Sequence, residues 1–141
     1  MNASFDAVIA VLQDYFEGLY RSDSTLLRRV FHPAALYACA SDGNLLALDM
    51  EQYFAVVDQR PAPAGRGDAR TDRILSIDFI GPVTALARVE CSILPKHFTD
   101  SLTLVQRPCR SHRQAIPCVW ARPRCWPIAT ASSATSNPCA G

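Results

Sequence analysis

Apolar residues at Phe5, Val8, Ile9, Leu12, Tyr15, Phe16, Leu19 and Tyr20 recur at the i, i+3, i+4, i+7 spacing of one helical face, with Asp6, Gln13, Asp14 and Glu17 mostly off it. The spacing predicts a helix over 5–20 that stops near Arg21. Ser22-Asp23-Ser24 then offers an N-cap to a short second helix, whose inner face is Leu26, Leu27, Val30 and Phe31 and which Pro33 ends. The period changes to two at Ala34–Ala40, a strand that turns at Ser41-Asp42-Gly43-Asn44 and returns as Leu45–Leu48. Asp49 with Gln52 three residues on is a capping-box arrangement, and Met50, Tyr53, Phe54 and Val57 give that third helix an apolar side. Pro61, Pro63, Gly65 and Gly67 predict a loop to about Arg70. The loop contains Arg66-Gly67-Asp68, which spells a cell-adhesion tripeptide and reads as a chance match.

Three alternating runs follow. Arg73–Ile80 sets Leu75, Ile77 and Phe79 against Ser76 and Asp78. Gly81-Pro82 suits a two-residue hairpin turn, because Gly takes a positive φ at the first central position and Pro fits the second. Val83–Leu94 sets Val83, Ala85, Ala87, Val89, Cys91 and Ile93 against Thr84, Arg88, Glu90 and Ser92; Phe98–Val105 sets Phe98, Asp100, Leu102 and Leu104 against Thr99, Ser101, Thr103 and Val105. The order predicts an α+β fold: N-terminal helices against a strongly bent, cone-shaped antiparallel sheet that offers the aromatic stripe of the first helix a broad apolar partner.

At 141 residues there is room for one domain and one core. Charge divides the chain. All 13 acidic residues lie at or before Asp100, and the nine basic residues up to Gln106 leave that part at −4; the other five, from Arg107 onward, make the remainder +5. A domain at −4 has no electrostatic reason to seek nucleic acid. The amphipathic N-terminus, with Asp6 where an export signal carries basic residues, and the lack of an apolar run of ~18 residues disfavour secretion and membrane spanning; the expected location is cytoplasmic. Cys39 and Cys91 fall in strands as small hydrophobes, four further cysteines follow Gln106, and without a C-x-x-C pair or zinc spacing all six read as reduced thiols.

Tyr15-Phe16-Glu17-Gly18-Leu19-Tyr20, Phe31-His32-Pro33, Leu48-Asp49-Met50-Glu51-Gln52-Tyr53, Asp72-Arg73-Ile74 and Phe98-Thr99-Asp100-Ser101-Leu102-Thr103-Leu104 together resemble, in order, the nuclear transport factor 2-like superfamily. Within it they are most similar to the bacterial lumazine-binding-like group, related to the polyketide-cyclase, SnoaL-like and ketosteroid-isomerase folds. The resemblance covers Phe5 to about Val105. It implies a pocket between helix and sheet and a homodimer through the outer sheet face, and it names no substrate.

The resemblance also implies a closing strand of the type Asp-Gly-x-Trp-x-Ile, and here the chain departs. Arg107–Gly141 has no Asp, Glu, Lys, Leu, Phe or Tyr, yet holds five of the ten prolines, four of the six cysteines and both tryptophans. Residues 1–106 are therefore read as the domain and 107–141 as an irregular or disordered tail, with the closing strand missing or altered. A frameshift near Gln106 accounts for the composition, since Arg, Pro, Ala, Ser, Cys and Trp are what GC-rich coding DNA yields in a wrong frame. A disordered basic tail for an acidic partner is the other reading, against which its Cys and Trp content weighs.

Asp100 is the leading chemical candidate. It shares a strand face with Phe98, Leu102 and Leu104, and a carboxylate among apolar side chains has its pKa raised toward the range of a general acid or base. The plain alternative is that it caps a bulge or pairs with Arg73 or Arg88. Tyr15, Tyr20, Tyr37 and Tyr53 are candidate phenol donors to a developing oxyanion, although helix-face tyrosines more often pack the ring and wet the hydroxyl. His32 is a candidate base or a turn histidine. Asp72 and Arg73 form either a pocket mouth or a rim ion pair. The expected catalytic set is Asp100, Tyr15 and His32, and the ligand-binding set is Tyr15, Phe16, Leu19, Tyr37, Tyr53, Phe54, Phe79, Phe98 and Asp100. No Gly-rich phosphate loop, G-x-S-x-G elbow or H-x-x-x-H spacing occurs, so no metal or cofactor is expected. The expected partner is a small, aromatic or polycyclic molecule held by an accessory protein, or turned over by a cofactor-independent isomerase, dehydratase or cyclase; a dimeric protein-interaction module is the third possibility.

Overall fold

The computed structural model describes residues 3–40, 43–106 and 128–136. Helix α1 spans Ala3–Arg21, α2 Ser24–Val30, α3 Met50–Gln59 and α4 Pro63–Arg66; strands are β1 Phe31–Cys39, β2 Leu46–Asp49, β3 Arg73–Phe79, β4 Thr84–Ile93, β5 Lys96–Val105 and β6 Ile128–Ser136. The strands form one open sheet in the order β2-β1-β6-β5-β4-β3, antiparallel except for the β1–β6 pair. The helices pack on one face of it, so the α+β expectation holds.

Local chemistry sets most boundaries. Asp23 accepts from the Leu26 N–H at 3.1 Å and starts α2. Asp49 and Gln52 form the reciprocal capping box, at 2.8 and 3.0 Å, that starts α3. Helix α2 stops earlier than expected: Phe31 is the first residue of β1, because Pro33 disfavours helical backbone just before it. Its ring still enters the core. Gly18 is buried where α1 crosses α2; a Cβ there would lie 2.6 Å from Leu27 Cδ2, so any larger residue would force the buried Leu27 side chain to shift.

The inner sheet face carries Ala85, Ala87, Val89 and Cys91 of β4 and Asp100, Leu102 and Leu104 of β5, all buried as the alternation predicts. Small alanines leave depth for the aromatic side of α1. On β3 the expected face is partly wrong. A register shift between Ile74 and Ser76 puts Ile74 and Ile77 against the core and leaves Leu75 exposed, while Phe79, at the strand's end, meets Phe5 at 6.4 Å.

Part of the segment expected to be irregular is a strand. Ile128–Ser136 lies between β5 and β1, where two edges would otherwise be open, and backbone pairing requires no particular side chains. The rest of that tail, and with it the proposed frameshift site after Gln106, lies outside the described residues. Arg66-Gly67-Asp68 is a helix end: Gly67 takes the left-handed C-cap, Arg66 pairs with Asp68 at 2.6 Å, and the Asp68 carbonyl accepts from the Tyr20 hydroxyl at 2.9 Å.

Candidate functional site

Asp100 is the one charged side chain buried in the interior among the described residues, 4% exposed. β5 aims it inward by its period of two, and α1 lays Tyr15 over it. The Tyr15 hydroxyl donates to Asp100 Oδ2 at 2.6 Å, a short charge-assisted bond. Asp100 Oδ1 is equally buried and has no hydrogen-bond partner among the described residues. Neither arginine considered as its partner takes it: Arg73 pairs with Glu90 at 2.7 Å, and Arg88 is exposed.

Aromatic rings continue from this pair. Phe31 meets Tyr15 edge-on at 5.9 Å and Tyr53 at 5.7 Å, and Tyr53 stacks on Tyr37 at 4.9 Å. Phe54 closes one side under the Arg28 guanidinium, which lies 4.6 Å above its ring. Leu19 is buried in the same core, and Phe98 packs against it from β5.

Burial pushes the Asp100 carboxyl up to about 6, against the pull of the Tyr15 hydrogen bond and the Arg60 charge. Burial and then the neighbouring carboxylate hold the Tyr15 phenol well above its usual range. Burial likewise raises Tyr53 and the Cys91 thiol. At neutral pH the site therefore offers neutral phenol donors, an unreactive thiol and a carboxyl able to gain or lose a proton.

A cleft of about 580 Å³ opens beside this interior, lined by Gln13, Phe16, Glu17, Arg70, Asp72, Arg73 and Ile74. Asp72 and Arg73 are thus at a mouth and in ion pairs at once: Arg70 bridges Glu17 and Asp72 at 2.5 and 2.6 Å. Phe16, adjacent in sequence to Tyr15, is the wall between cleft and interior, its ring 5.8 Å from that of Tyr15.

The structure gathers Tyr15, Phe16, Leu19, Tyr37, Tyr53, Phe54, Phe98 and Asp100 into or against one core. Phe79 stands at the far end of β3, beside Phe5. His32 alternates with buried Phe31 along β1 and is half-exposed; its Nδ1 accepts from the Ala34 N–H at 3.0 Å, the geometry of a local turn. Sequence reasoning missed Arg60, the C-cap of α3, whose Nε donates to Ser22 Oγ at 3.3 Å and whose Nη2 is buried without a partner among the described residues. No group of three metal-ligating side chains occurs among the described residues, and no helix among them is long and apolar enough to cross a membrane.

Residues 3–108 match the family described as "Putative lumazine-binding". The chain belongs to that family. Among solved structures it is similar to an NTF-2-like protein of unknown function from Silicibacter pomeroyi, at 21% identity, TM-score 0.75, with 96% of this chain and 100% of that one covered. It is also similar to NTF2-like proteins of unknown function from Shewanella baltica (24%, 0.74, 95% and 94%) and Methylobacillus flagellatus (18%, 0.72, 96% and 95%). At such identities the likeness shows the fold. No curated protein matches the chain.

Proposed function

We propose that this member of the family binds a small aromatic or polycyclic molecule between α1 and the sheet, and that the Asp100–Tyr15 pair is the polar element that orients it. One observation carries the reading: Asp100 Oδ2 is held by Tyr15 while Oδ1 is buried with its acceptor capacity unused, inside a hull of aromatic rings. A buried polar atom without a partner costs about 1–3 kcal/mol, and a ligand N–H or O–H placed on Oδ1 recovers it. Phe16, wall of the cleft and neighbour of Tyr15, marks the way in.

Native mass spectrometry of protein purified from its own host, with a thermal-shift screen of aromatic heterocycles, tests this. A bound species lost in Asp100→Asn is the expected result. Retention in the variant removes Asp100 from the site, and absence of any ligand from both experiments removes the reading.

A second reading, an isomerase, dehydratase or cyclase with Asp100 as general acid and base and Tyr15 as positioned donor, is favoured by the carboxyl's pKa near 6. Consumption of the bound species by wild type and not by Asp100→Asn separates turnover from binding. We also propose a cytoplasmic homodimer joined through the outer sheet face, where Leu36 is 51% exposed; a monomeric mass by light scattering refutes the pairing.

A further inference from the structure

The interior holds two buried polar atoms without partners among the described residues, and they are of opposite kinds. One is an acceptor, Asp100 Oδ1; the other is a cationic donor, Arg60 Nη2. They do not pair with each other, although the arginine's charge is close enough to oppose the rise that burial imposes on Asp100, Tyr53 and Cys91. Arg60 is fixed from behind. It follows the last turn of α3, and its Nε donates to Ser22 Oγ, while Nη2 is out of solvent although the residue as a whole is partly exposed. A cationic donor atom shut off from water without a partner is costly, and a ligand acceptor placed on it would remove that cost.

We propose that Arg60 and Asp100 are the two ends of one ligand site, taken by a flat apolar molecule that presents a carboxylate or enolised carbonyl oxygen to Arg60 and an N–H or O–H to Asp100. This rests on the proposed ligand-binding reading and sharpens it. The aromatic body lies against the Tyr15–Phe31–Tyr53 ring cluster rather than between its rings, and the two polar ends satisfy the two orphan atoms. A molecule with one polar end leaves the other atom bare, so the two contacts act together rather than singly.

The test is a set of four naphthalenes titrated into the full chain by calorimetry at about pH 7.5: a hydroxynaphthoate with its groups on opposite rings, naphthoate, naphthol and naphthalene. An indole carboxylate, whose N–H and carboxylate are adjacent, covers the shorter spacing. The expected result is that a bifunctional compound binds at least about 10-fold tighter than either single-function relative. Arg60→Met removes the gain from the carboxylate, and Asp100→Asn removes the gain from the hydroxyl. Equal binding of all four naphthalenes overturns the paired site while leaving an apolar binding protein intact. Binding of none of the five overturns both readings. The wild-type series decides the matter even if a variant fails to fold.

Discussion

Asp100 and Glu17 are carboxylates on opposite sides of the first helix's story: one meets its side chain at Tyr15 from the sheet, the other belongs to the helix and faces the cleft. Asp100 is buried, holds one phenol, and has its proton affinity raised by burial. Glu17 is ringed by cations, Arg21 at 2.5 Å and Arg70 at 2.5 Å, and the Arg70 hydrogen bond first of all holds its carboxyl below the usual range. A surface carboxylate with partners is comfortable as an anion; an interior one with too few is kept near its point of protonation. That contrast is why the ligand contact we propose falls in the interior rather than at the better-paired rim.

The largest expected effect comes from breaking the interior itself. Leu102 has no exposed surface and sits beside Asp100 on the same face of β5. Leu102→Ala removes its contacts and leaves a cavity, at a cost of about 2–5 kcal/mol in urea unfolding. A loss below about 1 kcal/mol would mean the wall around Asp100 is far looser than its burial indicates.

Next comes the pH dependence of Asp100. Its folded pKa, about 6, lies above the unfolded value near 4, so the folded state binds the proton more tightly between those limits. The contribution to stability is then fully present below about pH 4 and lost as pH rises through about 6. The difference amounts to about 3 kcal/mol. Asp100→Asn is expected to flatten this slope and to stabilise the protein near pH 8, with little change near about pH 4; a slope unchanged in the variant would place the titration elsewhere. Tyr15→Phe moves the other way. It removes the donor that lowers the Asp100 pKa, so stability near neutral pH falls by about 1.5–3 kcal/mol and the carboxyl titrates higher by NMR. An unshifted titration would deny that the 2.6 Å bond matters.

How much of this was legible follows from which forces are local. The α1 stripe, the Asp49–Gln52 box and the inward face of β5 are each a period or a cap, complete within a few residues, and Asp100 was found because a single carboxylate interrupts such a face. Helix α4 was missed because four residues carry no period, and Leu75 because a bulge inverts alternation without a marker in sequence. Arg60 was illegible for another reason: which way a guanidinium turns at a helix end is decided by what surrounds it. Strand β6, Ile-Ala-Thr-Ala-Ser-Ser-Ala-Thr-Ser, has no apolar alternation, and neighbouring edges rather than its own pattern make it a strand. The family match ends at residue 108, within two residues of the break in composition at Arg107, while structural likeness continues over 96% of the chain. We propose that a frameshift near Gln106 replaced a family-type ending. The gene read in its other frames past that codon is expected to encode a strand-like segment, and no such segment in either frame refutes it.

The smallest effect belongs to the rim, and it sharpens the contrast because its sign is opposite. Arg70 joins Glu17 and Asp72 and lies 4.8 Å over the Tyr20 ring, with its side chain 41% exposed. Exposed pairs of this kind contribute at most about 1 kcal/mol, so Arg70→Gln is expected to cost less than that at neutral pH. The depressed Glu17 pKa makes its contribution present above the ordinary carboxylate value and lost as pH falls, the reverse of Asp100. The Arg70→Gln penalty should therefore shrink in acid, and it should also shrink as salt rises toward about 1 M, where screening acts within ~3 Å. The Tyr15→Phe penalty should ignore salt, because its partners are buried. If both penalties respond alike to salt, the division between a desolvated interior and a solvated rim is wrong, since only desolvation protects a charge from screening.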